Sequence, residues 1–413
     1  MARMELGLNS CSSCNSWQNL FMALKFKRIC LLVLDSAGIG EMPDSAAWGD
    51  AGANTLGHIL ESRTVNLPNL RTMGLGNITP LKGLAAFDKP SGSYGRCTLK
   101  SDGKDTTTGH WEMAGIILKQ GFPTFPDGFP PRIISEFVAK AVLPGVLGNY
   151  AASGTEIIKD LGEEHVRTGK PIVYTSADSV FQIAAHEEVV PIERLYEICE
   201  IARSILHGED EVARVIARPF LGNNAADFKR TENRHDYAVP PPAGNLLPLL
   251  KNAGLDVVCI GKIASIYDNM GVTEDLTAKN NEQIIDVTIN ALNNDSRGII
   301  FSNLVDFDML YGHRRDTEGY AKALEYFDGR LPEIVDALND DDLLIMTADH
   351  GNDPTKDGSD HTREYVPLLV YGKSATGGVA LGTRQSLSDI GQTVAENFGL
   401  RIDDGVSFLN DLA

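Results

Sequence analysis

The sequence predicts an α/β fold with a mainly parallel central sheet between layers of helices. Two observations predict it. Short strands that are apolar on both faces recur along the chain, and amphipathic helical patterns alternate with them. A third observation, proline-rich punctuation in the middle of the 413 residues, predicts that a smaller α/β unit is inserted into this core.

Residues 1–26 have neither the basic start nor the apolar centre of a secretory signal, and read as a disordered extension in which Met22 is an alternative start. Cys11 and Cys14 form a CxxC without a second pair at zinc-ribbon spacing, so no metal site is read there. The first strand is Ile29–Leu34, and the core is expected to span 27–120 and 245–413. The runs FPTFPDGFPP (122–131) and VPPPAG (239–244) bound an inserted cap at 121–244, because proline continues neither a helix nor a central strand. Further strands follow at Val257–Ile260, Gly298–Leu304, Leu343–Met346 and Val366–Val370. Helices are expected over Asn280–Asn293 and Thr317–Leu338, the second carrying Tyr320, Leu324, Phe327, Leu331 and Val335 at three-to-four-residue spacing.

Lys and Arg total 37 against 56 Asp and Glu, a net charge of -19 that repels nucleic acid and anionic membranes. No apolar run approaches the roughly 20 residues that cross a bilayer. An anionic substrate must therefore be held by a local group of cations. Cys30, Cys97, Cys199 and Cys259 are scattered, with no disulfide framework, which points to a reducing cytoplasm. No nucleic-acid, membrane or protein partner is read from the sequence.

The chemistry concentrates where strands end. In TADHGND (Thr347–Asp353), Asp349 and His350 follow a buried apolar strand, and a sharp turn at Gly351 would let both side chains converge on one point. Carboxylate oxygen with imidazole nitrogen suits a divalent ion such as zinc or manganese. Asp35 ends the first strand in VLDSAGIGEMPD, at the edge where open α/β sheets bind ligands. In NLVDFDMLYGHRRD, Asp308 and His313 lie five apart, with Asp306 a competitor for Asp308; His361 follows eleven residues after His350. Six ligands from four segments are enough for two ions, which together can clamp the oxygens of a phosphoryl transfer.

A nucleophile for such a transfer is offered by GKDTTTGHWEMAG, in Thr106, Thr107 or Thr108. A helix starting near Gly109 would add amides that favour phosphate; the run reads equally well as an N-cap with β-branched turn residues.

From about Lys27 to the end, through LDSAGIGEMPDS, GKDTTTGHWEMAG, YTSADSVFQIAAHE, RVIARPF, NRHDYAVPP, GKIASIYD, NLVDFDMLYGHRRD, TADHGNDP and DHTREYVPLLVY, the chain resembles the phosphopentomutases of the alkaline phosphatase superfamily. Thr107 stands where the family pattern leads one to expect Met, adding a competing hydroxyl. The resemblance implies an alkaline-phosphatase-like core with an inserted cap, and two Mn2+ ions per chain. One would be bound by Asp35, Asp349 and His350, the other by Asp308, His313 and His361. It implies Thr106 as the residue that carries phosphate, since it follows an acidic residue as the superfamily's nucleophiles do. The implied reaction interconverts ribose or deoxyribose 1-phosphate with the 5-phosphate, with glucose 1,6-bisphosphate as activator. The resemblance further implies cations for the phosphate that is not transferred, with Arg214 or Arg218 in RVIARPF, Arg230 or Arg234 in KRTENRHD, and Lys262 in GKIAS as candidates, and Asp178, in TSAD, as an acceptor of hydrogen bonds from sugar hydroxyls.

Overall fold

The computed structural model describes residues 26–176 and 178–413. The predicted extension up to residue 25, with Cys11, Cys14 and Met22, lies outside the described residues. Fourteen strands are present among the described residues. They are β1 (Arg28–Leu34), β2 (Ser93–Cys97), β3 (Leu147–Ala151), β4 (Ile172–Thr175), β5 (Val180–His186), β6 (Arg214–Leu221), β7 (Lys229–Arg230), β8 (His235–Ala238), β9 (Asp256–Ile260), β10 (Glu274–Leu276), β11 (Gly298–Leu304), β12 (Asp342–Thr347), β13 (Val366–Tyr371) and β14 (Ala380–Arg384).

Eight of them form the main sheet, in the order β10-β9-β11-β1-β12-β13-β2-β14. The β10 to β12 half is parallel throughout; β13 runs antiparallel to both β12 and β2, and β14 returns parallel to β2. The three central strands β1, β11 and β12 are buried along their whole length. Such strands are covered on both faces, which is why they read as continuous apolar runs. Register sets Leu34 beside Leu304, and Val33 beside Thr347. Parallel pairing in that register delivers the residues that follow all three strands to the same edge of the sheet.

The helices bear out the apolar spacing with small shifts. Helix Thr317–Ala337 begins at the N-cap Asp316, whose carboxylate accepts from Gly319 N, and buries Tyr320, Leu324, Phe327, Leu331 and Ile334. Ile334 takes the deep position and Val335 is half-buried beside it. Helix Asn281–Asn293 is capped by Asn280, which accepts from Gln283 N.

The second sheet, β3 to β8, is built within residues 147–238, with the core order β3-β4-β5-β6-β7 and β8 paired to β6. Period-two alternation gives it two separate apolar layers. Val173, Phe181, Ile183, Ala185, Val215 and Ala217 pack with helices Pro131–Lys140 and Ile192–Ile205. Ile172, Tyr174, Ala184 and Phe220 pack on the other face with Ile157 and Ile158 of helix Gly154–Thr168. Of the proline-rich runs, 122–130 stays irregular and Pro131 opens a helix at its first position, where the missing N–H costs nothing. Residues 239–244 are irregular. Cys30, Cys97, Cys199 and Cys259 are buried free thiols.

Candidate metal centre

Asp35 leaves β1 fully buried, and the next residue, Ser36, adopts a left-handed backbone at φ 71°. A non-glycine residue is rarely found there. The bend presents Ser36 N to Asp349 Oδ1 at 3.0 Å and so ties the ends of β1 and β12 together. Asn303 Nδ2 donates to Asp35 Oδ2 at 2.9 Å. The remaining oxygens, Asp35 Oδ1 and Asp349 Oδ2, are buried without a hydrogen-bond partner. Both face His350 Nε2, at 3.5 and 3.3 Å. His350 Nδ1 lies 3.0 Å from Gly351 O, which leaves Nε2 as the free ligand atom. Buried orphan acceptors around one imidazole nitrogen fit a cation.

Gly351 supports this arrangement differently from the sequence expectation. It has no left-handed φ; it pairs with Thr362 in an isolated bridge, and a Cβ there would collide with Glu364. Close packing, rather than a special turn, explains the glycine.

Asp308 and His313 are joined by a π-type turn, Phe307–Gly312, with His313 N donating to Asp308 O at 3.0 Å. In an α-helix, residues five apart point to different faces; the wider turn brings both inward. His313 Nε2 is 3.2 Å from Asp308 Oδ2, His361 Nε2 is 3.4 Å from Asp308 Oδ1, and the two imidazole nitrogens are 3.2 Å apart. His313 Nδ1 is fixed 2.7 Å from Ser359 O. Asp306, the competing candidate, is in none of the close ligand groups among the described residues and instead meets the helix entrance: Asn281 N donates to its Oδ2, and Asn281 Oδ1 accepts from its N–H, while its Oδ1 is buried without a partner.

Asp35, Asp349 and His350 form one group of ligand atoms within 4.8 Å, and Asp308, His350 and His361 an adjoining one. The charges here are unbalanced. Burial, with Asp349 and Asp308 nearby, pushes the Asp35 carboxyl up to about 7. Burial opposes protonation of His350, yet Asp349, Asp308 and Asp35 together carry it up to about 9. His313 reaches about 9 against the same opposition, through Asp308. Protons occupy places that a divalent cation fills better.

Thr106 is the first residue of helix Thr106–Met113, three residues earlier than a start near Gly109 would give, because Asp105 caps it by accepting from Thr108 N. Thr106 Oγ1 lies 3.2 Å from His350 Nε2. Thr108 Oγ1 instead donates to Asp105 Oδ2 at 2.5 Å, and Thr107 is buried. At Gly109 the helix touches the metal edge so closely that a Cβ would lie 2.8 Å from the Cβ of Asp349.

The cationic candidates fall into three places. Lys262 sits in the core, where its charge partly offsets the raised pKa of Asp35 and Asp306. Arg214, on β6, reaches Asp178 at 3.9 Å and Asp236 at 3.5 Å, and its buried Nε has no partner. Arg218 and Arg230 gather with Arg234 around Tyr174, whose buried hydroxyl lacks a partner of sound geometry. Burial and the charge of Arg234 push Arg218 down to about 10. Arg230 Nη2 would lie 2.6 Å from a Cβ on Gly154, the first residue of helix Gly154–Thr168, and the Tyr174 hydroxyl would collide with that Cβ.

Residues 27–402 match a family model described as the metalloenzyme superfamily. A phosphopentomutase of Caldanaerobacter subterraneus subsp. tengcongensis is 56% identical over 387 residues, covering 94% of this chain and 98% of that protein. A phosphopentomutase of Desulfitobacterium hafniense is 55% identical over 388 residues, covering 94% of this chain and 100% of its own. The chain belongs to the phosphopentomutase family. Among solved structures, a Leishmania mexicana phosphoglycerate mutase superposes with a TM-score of 0.49 at 14% identity, covering 94% of this chain and 98% of that one.

Three polar residues of this phosphopentomutase family member escaped the sequence reading. Asn352 Nδ2 donates to Asp308 Oδ1 at 2.8 Å. His110 Nδ1 lies 2.9 Å from Thr106 O and 3.2 Å from Asp349 Oδ2, joining the helix to the metal edge. Arg315 Nη1 donates to Asn352 Oδ1 at 2.7 Å and to Asp353 O at 2.9 Å. All three lie inside the motifs already noted, and His110 stands one helical turn after Thr106.

Proposed function

We propose that the chain interconverts ribose or deoxyribose 1-phosphate and 5-phosphate through a phosphorylated Thr106, with two Mn2+ ions. Asp35, Asp349 and His350 hold one ion, and Asp308, His313 and His361 the other. The observation that carries this reading is the 3.2 Å approach of Thr106 Oγ1 to His350 Nε2, at the junction of the two ligand groups. Bound divalent ions would supply positive charge for the phosphoryl oxygens in transit and favour the ionised threonine hydroxyl.

The phosphoryl group passes from Thr106 Oγ to the free hydroxyl of the pentose phosphate, whose proton ends on the threonine. This gives a pentose bisphosphate, which returns its other phosphate to Thr106. Glucose 1,6-bisphosphate supplies the first phosphoryl group. The positive end of helix Thr106–Met113 favours a phosphate on its first residue.

The segment 121–244 acts as a cap over a core of 27–120 and 245–413. Its Arg218 and Arg230, with Tyr174 and the start of helix Gly154–Thr168, form a cradle for the phosphate that is not being transferred. The crowding of Arg218 with Arg230 and Arg234, where Asp236 is already paired with Arg234, supports this. Arg214 and Asp178 face the sugar, and Lys262 balances charge at the core. A closed cap keeps water from the phosphothreonine. The unpaired buried cysteines suit a cytoplasmic setting.

The test is a coupled assay of ribose 5-phosphate formed from ribose 1-phosphate, with Mn2+ and a trace of glucose 1,6-bisphosphate. Turnover that disappears on chelation and returns with Mn2+ is expected. Release of free phosphate without ribose 5-phosphate would mean a phosphatase instead.

A further inference from the structure

Asp178 lies in the connection between β4 and β5, on the second sheet, whereas His313 and His361 belong to the core. Ligand atoms of the three nevertheless lie within 4.8 Å of one another. That is close to the span of one divalent ion with bonds of about 2.0–2.2 Å to each ligand. Among the described residues the carboxylate has no hydrogen-bond partner: Arg214 Nη2 stands off at 3.9 Å, beyond a hydrogen bond. Arg214 in turn keeps a buried Nε with no partner, a donor waiting for an oxygen.

We infer that Asp178 is an exchangeable ligand, carried by the cap, for the metal held by Asp308, His313 and His361. The inference rests on that three-residue assignment. A site with three ligands keeps room for another. In the substrate-free enzyme that place goes to Asp178, which ties the second sheet to the core. A substrate oxygen takes it during turnover, and Asp178 turns to the sugar hydroxyls while Arg214 Nε gains its missing acceptor. The same carboxylate thus couples metal occupancy to the position of the cap, and ligand exchange would be the step that opens the site to substrate.

The experiment titrates metal-stripped, full-length enzyme with Mn2+ by calorimetry, for the wild type and for Asp178→Asn, Asp178→Glu and His361→Asn. Hydrogen exchange of the amides around 178–183 is followed in parallel. Asp178→Asn is expected to weaken one of two Mn2+ binding events by on the order of tenfold, a size familiar from supporting groups at metal sites. Asp178→Glu should retain most of that affinity, and His361→Asn should lose the event. Mn2+ should slow exchange around 178–183 in the wild type but not in Asp178→Asn, and saturating inorganic phosphate should erase the difference. Unchanged Mn2+ affinity and unchanged exchange in Asp178→Asn, with the event lost in His361→Asn, would overturn the inference. Two intact events in His361→Asn would instead overturn the assignment of the second metal site.

Discussion

Asn352 Nδ2 donates to Asp308 Oδ1 across 2.8 Å, so a residue of the β12 exit orients the carboxylate that follows β11. The contact is tight enough that a Cβ on Gly312 would lie 2.8 Å from the same amide nitrogen. Arg315 grips the other end of that amide and also the carbonyl of Asp353. Asn352→Ala is therefore predicted to weaken Mn2+ binding at the second site by about 10–100-fold. Binding at the Asp35, Asp349 and His350 site should hardly change. Calorimetric titration separates the two events, and equal weakening of both would refute the assignment.

His110 Nδ1 is bonded to Thr106 O and lies 3.2 Å from Asp349 Oδ2, beside the oxygen that has no hydrogen-bond partner. His110→Ala is predicted to lower kcat by on the order of tenfold or more while KM for pentose phosphate stays within about twofold, because the substrate's own contacts survive. Steady-state kinetics at saturating Mn2+ would reveal it. A change confined to KM would show that His110 does not act through Thr106 and Asp349.

Protons and metal compete for His350 and His313, each carried in the metal-free protein from the ordinary 6.5 up to about 9. A folded-state pKa raised above the unfolded one stabilises fully below about 6.5, and the gain is lost as pH rises through about 9. Metal-free enzyme should accordingly lose stability between those limits, while its Mn2+ affinity rises and fewer protons are released per ion bound. Thermal melts with and without Mn2+ across that window test both trends. A metal-free melting temperature that climbs from pH 6.5 to 9 would contradict the arrangement.

Gly154→Ala probes the phosphate cradle. The added methyl would press on the Tyr174 hydroxyl and Arg230 Nη2, at the point where a phosphate oxygen would sit. KM for pentose phosphate should rise by about tenfold, a loss of about 1.4 kcal/mol of binding, with Mn2+ affinity unaltered. An unchanged KM would remove this cradle from the substrate path.

At the far end of the sheet, Arg28 and Asp342 form a buried pair, Nη2 to Oδ2 at 2.6 Å and Nε to Oδ1 at 3.1 Å. Arg28→Ala leaves a buried carboxylate unpaired, so a cost of about 3–5 kcal/mol is expected. Denaturant unfolding measures it, and a loss below about 1 kcal/mol would mean that water reaches Asp342.

The central strands, and the convergence of the six side chains proposed as ligands, were legible because each carries a local signature: apolar runs covered on both faces, then acidic or imidazole side chains where the chain leaves the sheet. What was not legible depends on long-range contact. Asn352, His110 and Arg315 look like ordinary polar residues until β11, β12 and the Thr106 helix are brought together. Gly351 illustrates the same limit. Its sequence context suggested a turn, whereas its need for a missing Cβ arises from Glu364, thirteen residues away. The threonine run shows it too: that Thr108 is tied to Asp105 and Thr107 is buried, while Thr106 Oγ1 approaches His350, could be read only from the folded arrangement.

The measurement that tests the account most directly is peptide mapping by mass spectrometry of Mn2+-loaded enzyme after brief exposure to glucose 1,6-bisphosphate, for the wild type and Thr106→Ala. The account predicts one phosphoryl group on Thr106 in the wild type and none anywhere in the variant, together with loss of mutase turnover. Phosphate found on Thr107 or Thr108, or a variant that still turns over, would contradict it.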